Sequence, residues 1–145
     1  MRWTRLQAQR LYLDANVVIY AFEGSNRWEA ALRELLAAID DGELTAVTSE
    51  LTLCEVLVVP FREGASDVVS QYERVLSGEG ALNVPPVDRA ILRSAALLRA
   101  ELRLKLADSI HVATAQAYGC DFFLSNDGEL RFPAGLSEFK LDELL

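Results

Sequence analysis

The segment from Leu11 to Phe22 constrains the fold more than any other part of the chain. Leu11-Tyr12-Leu13 is a short apolar run of the kind used for a strand buried in a parallel sheet. It ends abruptly on Asp14; after Asn16 a second apolar run, Val17 to Phe22, leads to Gly24. A carboxylate at the carboxyl end of a central strand sits at the rim where open α/β sheets bind ligands. Asp and Asn are also good helix N-caps, so capping of the next helix is the simpler role for Asp14. What the rest of the chain brings to the same edge decides how much more it does.

Taken in order, the chain alternates helix and strand signals. Asn26 and Glu29 have capping-box spacing ahead of an amphipathic helix over residues 28–39, closed by Asp40-Asp41-Gly42. Residues 44–47 read as a second strand. Thr48 and Ser49 open a helix from Glu50 to about Val59, which Pro60 should stop. A helix over residues 65–76 lies between Gly64 and Gly78, and residues 81–84 form a third strand before Pro85-Pro86. Helices follow over residues 88–102 and 107–118, the latter ended by Gly119. Residues 121–124 are a fourth strand, and residues 139–141 a weak edge strand. Such alternation predicts a parallel sheet covered on both faces.

With 145 residues and no linker, repeat or low-complexity tract, the expectation is one domain spanning 1–145. Only Cys54 and Cys120 occur, without metal or redox spacing, which fits a reducing cytoplasm. Arg2, Arg5 and Arg10 precede an apolar run broken by Asp14 and Asn16, unlike a signal peptide, and no apolar run approaches a bilayer-spanning length. The net charge of −8 speaks against a general nucleic-acid binder. Acids gathered at one site would lower the charge without removing local phosphate contacts, and twelve of the fourteen basic residues are Arg, the better bidentate phosphate ligand.

Three further acids hold positions comparable to Asp14. Glu55 lies in the helix after the second strand, Asp108 in the first turn of a helix, and Asp127 just after the fourth strand. Each has a structural role open to it: a solvated helix face for Glu55, favourable helix-end charge for Asp108, turn formation for Asp127. Together they suggest convergence at one end of the sheet. Carboxylates clustered in a cleft repel one another, raise their own pKa values and are relieved by a divalent cation. Oxygen ligands without His or Cys partners favour Mg²⁺ or Mn²⁺ over zinc. Such a site suits phosphodiester hydrolysis, with metal activating water and stabilising developing charge.

Four stretches, in this order and separation, carry a family resemblance over nearly the whole chain. They are Tyr12-Leu-Asp-Ala-Asn-Val-Val-Ile-Tyr20, Thr48-Ser-Glu-Leu-Thr-Leu-Cys-Glu-Val-Leu-Val-Val-Pro60, Leu106-Ala-Asp-Ser-Ile-His-Val-Ala-Thr-Ala115 and Phe123-Leu-Ser-Asn-Asp127. With them the sequence resembles the PIN-domain ribonucleases, and among them the VapC-type toxins of prokaryotic toxin–antitoxin pairs. The resemblance implies a three-layer α/β/α sandwich around a central, mainly parallel sheet of four to five strands. It implies that Asp14, Glu55, Asp108 and Asp127 are the catalytic, metal-binding set, with Asn16, Ser125 and Asn126 as supporting polar contacts. Glu50 is a nearby decoy; Glu55 matches the motif. The implied activity is Mg²⁺- or Mn²⁺-dependent cleavage of RNA, and the implied partner a cognate antitoxin.

His111, three residues after Asp108, is the single histidine and reads as a packed side chain in an apolar helix rather than a general base. With one His and no Cys partner, a nucleophilic triad has no support. On the helix over residues 88–102, Arg89, Arg93, Arg99 and Arg103 fall at about 0°, 40°, 280° and 320°, one basic arc available to RNA phosphates or simply to solvent. Leu51, Leu53, Val56, Leu57, Val58, Val59 and Phe61 crowd one short segment. One helix cannot turn them all inward, so a homodimer or antitoxin contact is expected. Two rivals stand beside the nuclease. A receiver-like phospho-acceptor domain would carry a Lys after its last core strand, and none lies between Phe122 and Asp127. A catalytically silent PIN module binding RNA or a protein partner would have no need of four mutually repelling acids.

Overall fold

The computed structural model describes residues 5–23 and 26–145, so Gly24, the expected end of the second apolar run, lies outside it. Among the described residues the chain forms β1 (Arg10–Leu13), α1 (Ala15–Phe22), α2 (Glu29–Asp40), β2 (Thr45–Val47) and α3 (Glu50–Glu63). Then come α4 (Ser66–Val75), α5 (Arg89–Leu102), α6 (Leu106–Ala117), β3 (Phe122–Ser125), β4 (Ser137–Lys140) and a 3-10 turn, Leu141–Leu144. The strands make one parallel sheet in the order β2-β1-β3-β4, with Leu11 beside Ala46 on one side and Phe122 on the other. The order reverses direction at β1 and β3. In open parallel sheets that reversal opens a crevice at the carboxyl ends of the strands.

The sheet's alternation sorts the core into two layers. Leu11 and Leu13 of β1 pack with Val17 and Val18 of α1, Leu32, Leu35 and Ile39 of α2, Tyr72 of α4, and Leu76 just after it. Tyr12, from the same strand but the opposite face, packs with Phe123 of β3, Ile91, Ala95 and Leu98 of α5, and Val112 and Ala115 of α6. Tyr12 and Phe123 stack with ring centroids 5.0 Å apart. Buried apolar side chains such as these contribute roughly 1.5–3 kcal/mol each, which makes a sheet with both faces covered a firm base for the crevice. The expected three-layer sandwich is therefore present.

Three sequence expectations need correction. Pro60 does not stop α3; the helix runs on to Glu63 and ends where Gly64 takes φ +67°. A proline costs an interior helix a hydrogen bond but fits its φ. Here Pro60 is buried in the protein, while the left-handed glycine supplies the stop, with the Ala65 N–H bonding Pro60 O at 2.9 Å. Residues 81–84 do not form a full strand. They touch β2 only through the Val47–Asn83 bridge, where Thr48 N donates to Asn83 O and Asn83 N to Ala46 O. Pro85, which has no N–H, follows at once. Asn26 and Glu29 do not close a capping box either: α2 begins after Trp28, and Asn26 Oδ1 accepts from Trp28 N in a local turn.

The crowded apolar segment on α3 divides as its helical spacing dictates. Val56 is buried, whereas Val58, Val59 and Phe61 are 47%, 45% and 64% exposed. Among the described residues no helix is long and apolar enough to cross a membrane. Cys54 is exposed, Cys120 is buried, and both are free thiols.

Candidate active site

β1 delivers Asp14 to the crevice. The strand ends at Leu13, and Asp14 caps α1 in extended conformation, its Oδ1 accepting from Val17 N at 3.1 Å. The capping role and the site role are thus compatible, because one oxygen serves the helix and the other stays open. Asp14 lies two residues beyond Tyr12 and so shares its sheet face, the one covered by α5 and α6.

α6 brings Asp108. Lys105 precedes the helix, which places Asp108 in its first turn, where unpaired backbone N–H groups favour an anion. α3 brings Glu55, one turn after Thr52 and on the side that meets α6. Thr48 anchors the start of this arm, donating to Leu13 O at 2.6 Å and sharing a 2.8 Å hydrogen bond with Thr52. β3 brings Asp127. Buried Ser125 accepts from Asp127 N at 3.0 Å, and Asp127 Oδ1 accepts from Glu129 N at 3.0 Å. The turn-forming role is real, and it leaves the second oxygen of Asp127 free.

The electrostatics show that these acids sense one another. Burial pushes Asp14 up to about 6; the Val17 N–H and His111 oppose the rise, and the charges of Asp108 and Glu55 add to it. Asp108 is raised, first by burial and then by Asp127, with Glu55 adding and His111 and Lys105 opposing. Asp14, Asp108, Glu55 and Asp127 therefore form one coupled group. Among the described residues, no three acidic, His or Cys side chains stand as a ready-made metal cage. The donor set itself, four carboxylates rich in open oxygens, fits a hard divalent cation.

Of the supporting residues, Asn16 is exposed in the first turn of α1, Ser125 is buried beneath Asp127, and Asn126 is exposed beside it. A cavity of about 150 Å³ lined by Asp108, Asp127, Arg103, Lys105 and Leu130 adjoins the acids. It shares Arg103 and Leu130 with the lining of a larger one of about 550 Å³ that also includes Arg131. The basic arc is altered by the end of α5. The helix stops at Leu102, and Arg103 adopts φ +58°, a left-handed cap usually given to glycine. Arg103 is thereby turned out of the helical arc and into the cavity lining. Arg99 braces this turn, its Nε donating to Leu104 O, while Arg89 and Arg93 are exposed on α5.

Two features escape a reading of the sequence. His111 is buried, but among polar partners: its Nε2 lies 2.5 Å from Glu55 Oε1 and its Nδ1 2.6 Å from the Tyr12 hydroxyl. The signal was the i, i+3 spacing from Asp108, which puts both on one face of α6. Glu138 on β4, paired in register with Phe123, is a fifth acid. Its Oε2 is buried without a hydrogen-bond partner, and its carboxyl is raised by burial, with Lys140 opposing and Asp127 adding. Nothing in the short edge-strand pattern marked it.

The PIN domain family model matches residues 11–135, from the first strand through the Asp127 turn. This chain is a PIN domain. The family's fold replaces the receiver-like alternative. Among curated proteins no sequence matches. Solved structures similar to this PIN domain include a toxin–antitoxin complex from Klebsiella pneumoniae, 23% identical, TM-score 0.66, covering 87% of this chain and 94% of that one. FitAcB from Neisseria gonorrhoeae is 18% identical, TM-score 0.69, with coverage of 90% and 97%. VapC20 of Mycobacterium tuberculosis, described as a toxin that cleaves the sarcin–ricin loop, is 16% identical, TM-score 0.65, with coverage of 81% and 90%.

The raised Asp14 carboxyl has a direct consequence for stability. A carboxyl at about 6 in the folded chain and near 4 when unfolded binds its proton more tightly in the folded state. Its stabilising contribution is complete below about pH 4 and lost as pH rises through 6. Asp14→Asn keeps a good N-cap and removes the charge. Urea melts in EDTA from pH 4 to 8 should therefore show a shallower decline for Asp14→Asn, which matches or exceeds wild type above pH 6. Parallel curves for the two proteins would contradict the assignment.

Proposed function

We propose that this PIN domain is a Mg²⁺- or Mn²⁺-dependent endoribonuclease, the toxin of a toxin–antitoxin pair. The observation that carries the reading is the set of Asp14, Glu55, Asp108 and Asp127 at the sheet's reversal point, with Asp14 raised by burial and by Asp108 and Glu55, and Asp108 by burial and by Asp127 and Glu55. His111 and Lys105 offset the repulsion only in part: Asp14 and Asp108 stay raised by burial and by their acidic neighbours. When bound, a divalent cation supplies neutralising charge, lowers the pKa of water and stabilises the phosphorane-like transition state. Asp14 and Asp108 are the primary holders, with Glu55 and Asp127 completing the set and Asn16, Ser125 and Asn126 in support. Arg103 and Lys105, on the adjoining cavity, bind phosphate oxygens of the RNA backbone and orient the scissile bond. Arg89, Arg93 and Arg99 extend the contact along α5. No side-chain nucleophile is needed.

The toxin half of the proposal draws on the solved neighbours, which include a toxin–antitoxin complex and a toxin, and on α3. Val58, Val59 and Phe61 are apolar and exposed, as are Leu92 and Leu97 on α5. We assign these faces to a homodimer and to an antitoxin segment. A basic antitoxin side chain laid against the carboxylates would block both substrate and metal.

Cleavage tests the nuclease. Wild-type protein should cut RNA with Mg²⁺ or Mn²⁺ and not in EDTA. Asp14→Asn and Asp108→Asn, still folded, should lose about 100-fold or more, the rate equivalent of several kcal/mol of charge stabilisation. Arg103→Ala should keep metal dependence but lose affinity, with the salt dependence of RNA binding reduced by about one charge. Cleavage undiminished in EDTA, or in both Asn variants, would sink the reading, and absence of cleavage by the metal-loaded wild type would favour a silent RNA- or partner-binding module.

Light scattering after size-exclusion chromatography tests the assembly, first alone and then with the co-expressed product of the neighbouring gene. A dimer that the neighbour binds and inhibits is expected. A monomer at micromolar concentration removes the dimer, and a neighbour that neither binds nor inhibits removes the toxin assignment. The nuclease assignment is independent of both.

A further inference from the structure

His111 occupies a place in the fold that packing alone does not explain. It is 3% exposed on an otherwise apolar stretch of α6, yet both ring nitrogens meet polar atoms. The Tyr12 hydroxyl is 2.6 Å from Nδ1 and Glu55 Oε1 is 2.5 Å from Nε2. Glu55 is the member of the acid set most in need of a fixed orientation. Its side chain is 33% exposed, rides on a helix surface and, with three torsions, has more freedom than an aspartate. Tyr12 is held rigidly: fully buried, stacked on Phe123, and edge-on to the His111 ring at 5.7 Å.

We infer that Tyr12 and His111 form a positioning pair that fixes the Glu55 carboxylate for metal binding, an inference that rests on the metal-nuclease reading above. A phenol keeps its proton at neutral pH and is the natural donor to Nδ1. A carboxylate can only accept, so the Nε2 proton of His111 points at Glu55 Oε1 while the Tyr12 hydroxyl holds the ring at Nδ1. The chain of two hydrogen bonds thus satisfies all three groups. It holds Oε1 on the α6 side and leaves Oε2 available to a cation. His111 is a positioning residue and not a metal ligand here. Partners in hydrogen-bond contact with metal-binding carboxylates are the groups whose loss weakens metal affinity by about 10- to 100-fold.

Mn²⁺ binding, followed by isothermal titration calorimetry, tests this without recourse to activity. His111→Leu should weaken Mn²⁺ binding about tenfold or more. His111→Gln keeps an N–H donor near the Nε2 position and should recover most of the loss. Tyr12→Phe keeps the stack on Phe123 but removes the hydrogen bond that holds the ring at Nδ1, giving a smaller change of the same sign. In a Glu55→Gln background none of the three should matter, since there is no carboxylate left to orient. Urea melts monitor folding; if His111→Leu does not fold, Tyr12→Phe and His111→Gln, each with and without Glu55→Gln, carry the same comparison. Wild-type binding with unchanged affinity in the folded variants overturns the inference. Equal losses with and without Glu55 also overturn it, because they mark a general packing role. A wild-type chain that binds no Mn²⁺ fails the metal reading itself, and the inference with it.

Discussion

The structure depends on a repulsion. Asp14, Glu55, Asp108 and Asp127 arrive at one edge of the sheet from β1, α3, α6 and the end of β3, where burial and the neighbouring acids raise the carboxyls of Asp14 and Asp108. Nothing in folding rewards such an arrangement. It persists because the two packed layers around the sheet, with Tyr12, Phe123 and Leu124 among their fully buried side chains, hold the strands in place regardless. A few kcal/mol of local strain is tolerable only where the remaining core is well formed. Local repulsion of this kind is how a fold keeps a site poised for a cation.

Three of the four acids also serve the backbone that carries them. Asp14 caps α1, Asp127 anchors the turn after β3, and Asp108 lies where the N-terminal end of α6 favours an anion. That double use explains how the set is fixed without a cage of salt bridges. It also explains why single acids are ambiguous in the sequence: the local role and the site role ask for the same residue at the same position. Only their order along the chain, one acid after the first strand, one within α3, one at the head of α6 and one after β3, separates the two.

Most of the fold could be read from the sequence because it rests on local signals. The apolar run ending on Asp14, the Ser49 cap, and Gly119 after α6 all act within a few residues. The failures are tertiary. Pro60 reads as a stop until its burial and the left-handed Gly64 are known, and residues 81–84 look like a strand until their single bridge to β2 is seen. His111 looked like core because its neighbours on α6 are apolar; its polar partners come from β1 and α3, far off in sequence. Glu138 was invisible for the same reason, since its proximity to Asp127 arises from strand pairing. The spacing puts Arg103 on a helical arc with Arg89, Arg93 and Arg99, but the helix ends one residue earlier.

The central claim is that these carboxylates are a cation site. Crystals grown with Mn²⁺ and measured for its anomalous scattering test it most directly. The account predicts one or two strong peaks at about 2.1 Å from carboxylate oxygens of Asp14 and Asp108, with Glu55 or Asp127 in the same coordination sphere or linked through water. Mn²⁺ absent from this crevice at saturating concentration, or bound only elsewhere on the surface, would contradict it.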